Sequence, residues 1–203
     1  MYPVSLRELR GFGPLPKLKA DVIILETSRL QLREFGPNDV NALARVLSDP
    51  QTMRYYPAPY DRVGVEDWIA RNRWRYQEEG HGLWGMVLKS SGELIGDCGL
   101  IRQMVDGVEE TEIGYHVRRD HWGHGFATEA ARACRDYGFA HLKVQRLISL
   151  IRPENLASRR VAEKNDMTII KEVTWRGLRH CVYGIERSKA ESLQPSAVQT
   201  CEK

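Results

Sequence analysis

Ten residues, HWGHGFATEA from His121 to Ala130, set two glycines one residue apart between a strand-like run and a helix-like one. Glycine costs chain entropy, so it is kept where the backbone turns tightly or where something must come close. A helix N-terminus with free N–H groups and the positive end of the dipole suits a phosphate. The plainer alternative is a strand-to-helix turn without a ligand. A dinucleotide loop fits less well, because the third glycine and an acidic residue some 20 positions on are missing. His121 and His124 stand at i, i+3 like a metal pair, but no third ligand is evident, so no metal is expected. Upstream, Glu109, Glu110 and Glu112 offer carboxylates on or beside a strand.

Those residues need a scaffold, and the surrounding pattern supplies one. VIIL (22–25), continuing to Leu30 and Leu32, reads as extended chain turning at Thr27–Ser28. Val40, Leu43, Ala44 and Leu47 share one helical face after the start signal Pro37–Asn38–Asp39, and Val65, Trp68, Ile69 and Tyr76 mark a second helix. Strands are expected at 84–89, 94–102 and 111–117, the first two joined by an SSGE turn. The quoted glycines then open a helix whose Ala127, Ala130, Ala131, Cys134 and Gly138 form a face of small residues. A strand at 146–152 precedes a helix capped by Asn155, and strands at 168–176 and 180–186 close the pattern. The sum is a mixed α/β sheet in which the strand–helix–strand crossover sets two parallel strands side by side.

The chain has 203 residues and a formal net charge of +3. That length suits one domain with tails, and charge so nearly balanced argues against a nucleic-acid partner. Pro- and Gly-containing residues 1–22 read as an N-terminal extension, 23–187 as the domain, and 188–203 as a polar tail. Cys98, Cys134, Cys181 and Cys201 form no CxxC pair, which indicates a reduced, cytoplasmic protein. No run approaches a membrane span, and charged residues interrupt any signal peptide.

Four stretches in order, ETSRLQLREF, EIGYHV, RRDHWGHGFATEA and RLISLIRPENLASRRVAEK, resemble the GNAT superfamily of acyl-CoA-dependent N-acetyltransferases, and within it the RimJ/RimL-like branch. The resemblance implies a GNAT fold: a mixed, mostly antiparallel sheet with a central parallel pair splayed to admit acetyl-CoA, and helices on both faces. It sets the pyrophosphate loop on Trp122, Gly123, His124, Gly125, Phe126, Ala127 and Thr128. Trp122 stands where the superfamily has Gln or Arg, yet backbone N–H groups from His124 to Thr128 would still do the binding. It sets the oxyanion donor on the backbone around Tyr115, His116 and Val117, and a carboxylate base at Glu112. Asn155 would bond the pantetheine arm and Ser158 would donate toward the thiolate. Arg118, Arg119, Arg159, Arg160 and Lys164 could meet phosphates; Tyr55, Tyr56, Tyr60 and Trp84 could line an acceptor pocket. Asp166 replaces a glycine of the family's turn, which predicts a differently shaped helix end.

The reaction so implied is attack of an amine on a thioester. A lysine needs about 4–5 kcal/mol to be neutral at pH 7, an α-amine only about 1.4. With Glu112 read as a single exposed carboxylate, the acceptor is expected to be a peptide or protein N-terminus. The alternatives are a polyamine, an amino acid or an aminoglycoside, or a non-catalytic acyl-CoA sensor. A monomer or homodimer is expected.

Overall fold

The computed structural model describes residues 22–192. Eight strands and five α-helices run in the order β1 (Ile23–Glu26), β2 (Leu30–Arg33), α1 (Val40–Leu47), α2 (Arg62–Glu78), β3 (Leu83–Leu88), β4 (Leu94–Val105), β5 (Val108–Val117), α3 (Phe126–His141), β6 (Arg146–Ile151), α4 (Leu156–Lys164), β7 (Thr168–Trp175), β8 (Leu178–Glu186) and α5 (Arg187–Ser192). The strands form one sheet ordered β1-β2-β3-β4-β5-β6-β8-β7. All neighbours are antiparallel except β5 and β6. The fold is the mixed α/β GNAT arrangement.

Two apolar layers sandwich the sheet. Leu43, Val46 and Leu47 of α1 and Val65 and Ile69 of α2 form one with Phe35, Val87 and Leu94. On the other face, Ala130, Ala131 and Cys134 of α3 join Trp84, Leu100, Ile113 and Leu147. Strand β3 is therefore buried along its whole length, as expected of a strand covered on both faces. The small-residue face of α3 lets that helix lie close on the sheet: a Cβ on Gly138 would stand 3.1 Å from both Leu100 and Leu147. Cys98, Cys134 and Cys181 are buried thiols, while Cys201 lies outside the described residues.

The structure departs from the sequence reading in three places. Strands β4 and β5 reach well past residues 102 and 111, meeting at Asp106–Gly107, both with positive φ. Polar Gln103, Glu109 and Glu110 interrupt the apolar pattern there, although Val105 is buried against Ile148, Val173 and Val182. Trp84 is core, packed edge-on against Tyr137 at 5.3 Å, and is not among the residues lining the cavity described below. The chain from Ser188 begins inside α5, whose Ala190 joins the core; the rest of the expected tail, and residues 1–21 of the expected extension, lie outside the described residues. No described helix is long and apolar enough to cross a membrane.

Candidate active site

The parallel pair touches at a single register point, Glu112 opposite Ile148. The hydroxyl of Ser149 then bonds the Ile113 carbonyl at 2.8 Å, and beyond that the strands part. On its other side β5 stays zipped to β4, from Val105↔Val108 to Gly96↔Val117, and the Arg118 N–H reaches the Ile95 carbonyl at 2.8 Å. That register points the N–H groups of His116 and Gly114 at β4. Backbone groups alternate along a strand, so those of Tyr115 and Val117 point into the gap. His116 is thus no backbone donor to the gap; its place in the site comes through its side chain.

The glycine loop borders the gap on the α3 face. Gly123 and Gly125 have φ of +80° and +82°, and Gly125 caps α3 in the left-handed region. Nothing lies within 4 Å of where a Cβ on Gly123 would stand, and on Gly125 the Arg29 guanidinium comes within 3.6 Å of that position. The segment Thr27–Arg29 braces it. Glu129, in the first turn of α3, accepts from the Thr27 hydroxyl (2.6 Å), the Arg29 N–H (2.9 Å) and the Arg29 guanidinium (2.7 Å). Arg29 also donates to the His124 carbonyl at 2.9 Å and sits 4.5 Å over the Phe126 ring. Trp122 turns back on β5, its indole N–H bonding the Val117 carbonyl at 2.7 Å.

Several expected phosphate partners are otherwise engaged. Arg118 is buried and held by Glu93 and Asp120, both at 2.6 Å. Arg159 donates to the Tyr183 hydroxyl at 2.9 Å and the Pro153 carbonyl at 3.1 Å. Arg119 extends into solvent, 3.9 Å from Asp49. His121 accepts from Arg118, and among the described residues no group of three potential ligands could hold a metal. Asp166 adopts φ +64°, the conformation a glycine would take, and pairs with Arg135 at 2.9 Å. The helix end keeps the glycine-like turn rather than a different shape.

Across the sheet, a cavity of about 180 Å³ opens through the gap from the α2 side. Tyr55, Tyr56 and Tyr60 line it as expected, with Glu112, Tyr115, Asn155 and Ser158. Asn155 caps α4 by accepting the Ser158 N–H at 3.2 Å, which leaves its amide NH₂ free to donate. The Tyr115 hydroxyl is spent on the Ser158 carbonyl at 2.9 Å, and burial pushes its pKa far up. Tyr115 therefore offers the gap its backbone, not an acid.

Glu112 is no solvated strand residue. It is partly buried in the cavity wall, and desolvation raises its pKa against the opposing pull of the Leu150 N–H, Gln103, His116 and Arg176. Beside it runs a chain that the sequence did not disclose. Asp97, fully buried, accepts from the Trp68 indole at 2.9 Å and faces His116 Nδ1 at 2.7 Å. A carboxylate there fixes the proton on Nδ1, so His116 Nε2 accepts from the Tyr56 hydroxyl at 2.7 Å. Tyr56 is 39% exposed overall, but desolvation around its hydroxyl and the neighbouring Glu112 and Asp97 push its pKa up, which keeps it a protonated link. Carboxylate, imidazole and phenol form a route by which a proton could leave the cavity.

Comparison with known proteins fixes the family. Residues 29–168 match the model of the acetyltransferase (GNAT) domain. The chain belongs to the GNAT acetyltransferases. "Uncharacterized protein YkkB" of Bacillus subtilis (strain 168) is 39% identical over 150 residues, 73% of this chain and 87% of that one. A solved acetyltransferase of Agrobacterium tumefaciens str. C58 is 27% identical with a TM-score of 0.70, covering 87% of this chain and 99% of its own. The ribosomal L7/L12 α-N-protein acetyltransferase RimL, solved with coenzyme A, shares the fold at 18% identity and a TM-score of 0.62, over 81% of this chain and 97% of its own. This GNAT chain is an N-acetyltransferase, and the open glycine loop and strand gap fit the coenzyme that the family uses.

Proposed function

We propose that this N-acetyltransferase moves an acetyl group from acetyl-CoA to the α-amine of a peptide or protein N-terminus. One observation carries the reading: the gap between β5 and β6 opens on one face toward the glycine loop and on the other onto Glu112 and the Tyr56–His116–Asp97 chain. The thioester, when bound, supplies an activated acyl carbon. Gly123, Gly125 and the N–H groups at the start of α3 would hold the pyrophosphate, and the free amide of Asn155 the pantetheine arm. The Tyr115 and Val117 N–H groups would stabilise the oxyanion; loss of one such donor costs about 3–4 kcal/mol elsewhere.

On the other face, the incoming nitrogen gives up a proton to Glu112, or through Tyr56 to His116. An N–C bond forms, the C–S bond breaks, and the thiolate takes a proton by way of the Ser158 hydroxyl. An α-amine is neutral at about a third of the cost a lysine imposes, which suits acceptors as weak as a carboxylate or an imidazole. An acyl-CoA sensor would need the loop face alone, and the proton acceptors opposite would be idle.

Thiol release with acetyl-CoA tests this. Peptides with free N-termini should turn over, and N-blocked peptides with free lysines should be poor at every pH. Ser158→Ala should lower kcat at least about tenfold while sparing coenzyme binding. Efficient acetylation of the blocked peptides would overturn the α-amine assignment.

A further inference from the structure

Arg71 and Arg75, one turn apart on α2, and Arg176, in the β7–β8 turn, all line the acceptor side of the cavity. Arg71 lies 5.7 Å over the Trp68 ring, Arg176 lies 4.2 Å over Trp175, and Arg75 donates to the Asn72 amide oxygen at 3.1 Å. Among the described residues none of the three has a carboxylate at ion-pair distance; Asp67 acts on Arg71, Glu79 and Glu112 on Arg75, and Glu112 on Arg176, all from farther off. A fourth guanidinium, that of Arg152, borders the same cavity with its buried Nε unbonded and Glu154 at 3.6 Å. Against these four, Glu112 is the sole carboxylate in the lining.

Such a set is costly without a ligand. Burial leaves Arg71 and Arg75 poorly hydrated, and Arg71 is repelled by Arg75 and by Arg176. Guanidinium forks match a carboxylate in geometry, and charge-assisted bonds to one are about twice as strong as neutral ones. The phosphates of the coenzyme do not fill this need, since α2 packs on the face opposite α3 and the glycine loop. Polyamines and aminoglycosides carry only positive charge, and this rim repels them.

We infer that the acceptor is an anionic amine, whose carboxylate is held by Arg71, Arg75 and Arg176 while its nitrogen faces Glu112. The inference rests on the cavity being the acceptor site. Two sources share this chemistry: an acidic first residue of a peptide, and a free acidic amino acid.

The test has a catalytic arm and a binding arm. Thiol release is measured with peptides of one sequence beginning Asp, Glu, Ala or Lys, with free aspartate and glutamate, and with spermidine. Acidic acceptors should exceed the Lys-initial peptide and spermidine at least tenfold in kcat/KM, and the peptide and free-acid arms identify the source. In Arg71→Glu/Arg75→Glu that ratio should fall at least tenfold, while the thermal shift given by coenzyme A persists and shows the variant folded. In the binding arm, N-acetyl-Asp and N-acetyl-Lys peptides are titrated with coenzyme A present, following the intrinsic tryptophan fluorescence, to which Trp68 and Trp175 beside the arginines contribute. The acidic product should bind at least tenfold tighter. Turnover indifferent to charge, or favouring cations, overturns this inference and leaves the acetyltransferase reading standing. Charge-selective binding without turnover of any peptide or free amino acid does the reverse.

Discussion

Glu112 illustrates how a residue's surroundings set its chemistry. Its pKa is raised in the fold by desolvation, so the native state holds its proton to higher pH than the unfolded chain does. Stability from this group is complete below the unfolded value and is lost as pH rises through the folded one. Glu112→Gln should therefore melt higher than the parent at pH 8 and no higher near pH 4, each tenfold in the ionisation constant being worth about 1.4 kcal/mol. The same variant should acetylate slowly at pH 7 and recover much of its rate by pH 8.5, where an α-amine deprotonates itself. Equal melting curves at both pH values would show the carboxyl to be well solvated. Glu112, Asn155 and Ser158 could be singled out because the family resemblance attaches each to a place in a local motif, and all three line the cavity. The Asp97–His116–Tyr56 chain was not, since its links span 19 and 60 residues and nothing local marks a buried hydrogen bond. His116→Gln keeps a polar side chain and should lower kcat at neutral pH more than it changes KM.

At the scale of elements, the loop before α3 was readable because two glycines one residue apart stand before a helix pattern, and both take positive φ, which glycine does at ordinary cost. Its brace was not readable: Thr27, Ser28 and Arg29 meet Glu129 a hundred residues away in sequence. A valine at Gly125 takes on strain of about 1–2 kcal/mol besides blocking the anion. Gly177→Val provides the control, with φ +75° and nothing within 4 Å of its Cβ position. Both variants should lose similar stability without ligand. Acetyl-CoA at a hundredfold excess over its Kd should restore about 2.7 kcal/mol to Gly177→Val and nothing to Gly125→Val. Protection of both, followed by thermal melting, would take the pyrophosphate away from this loop. The β4–β5 extension escaped the reading for an instructive reason. Gln103, Glu109 and Glu110 interrupt its apolar residues Met104, Val105 and Val108, yet it stays paired throughout, lends Gln103 to the cavity and is tied by the Trp175 indole to the Met104 carbonyl at 3.0 Å.

Across the whole molecule, the single parallel contact divides a sheet of eight strands, so the halves are joined by few backbone bonds where the site lies. The mixed sheet and the crossover followed from the alternation of strand and helix patterns. The strand order past β6 did not, because β7 and β8 read alike as a closing pair and only packing decides which lies inside. Strand β8 takes that place, pairing with β6 from Arg146↔Glu186 to Ile151↔Cys181. A chain stopped after Met167 should leave the edge of β6 bare and collect in the insoluble fraction; soluble, monomeric protein from that truncation would contradict the expectation. The insertion of β8 also imposes a schedule on synthesis. Strand β7 leaves the ribosome first but has no neighbour until β8 follows, and at about 5–20 residues per second the nascent sheet waits on the order of seconds with an open border. During that interval a chaperone would find its docking strip along β6, and slow codons between residues 151 and 178 would lengthen the exposure.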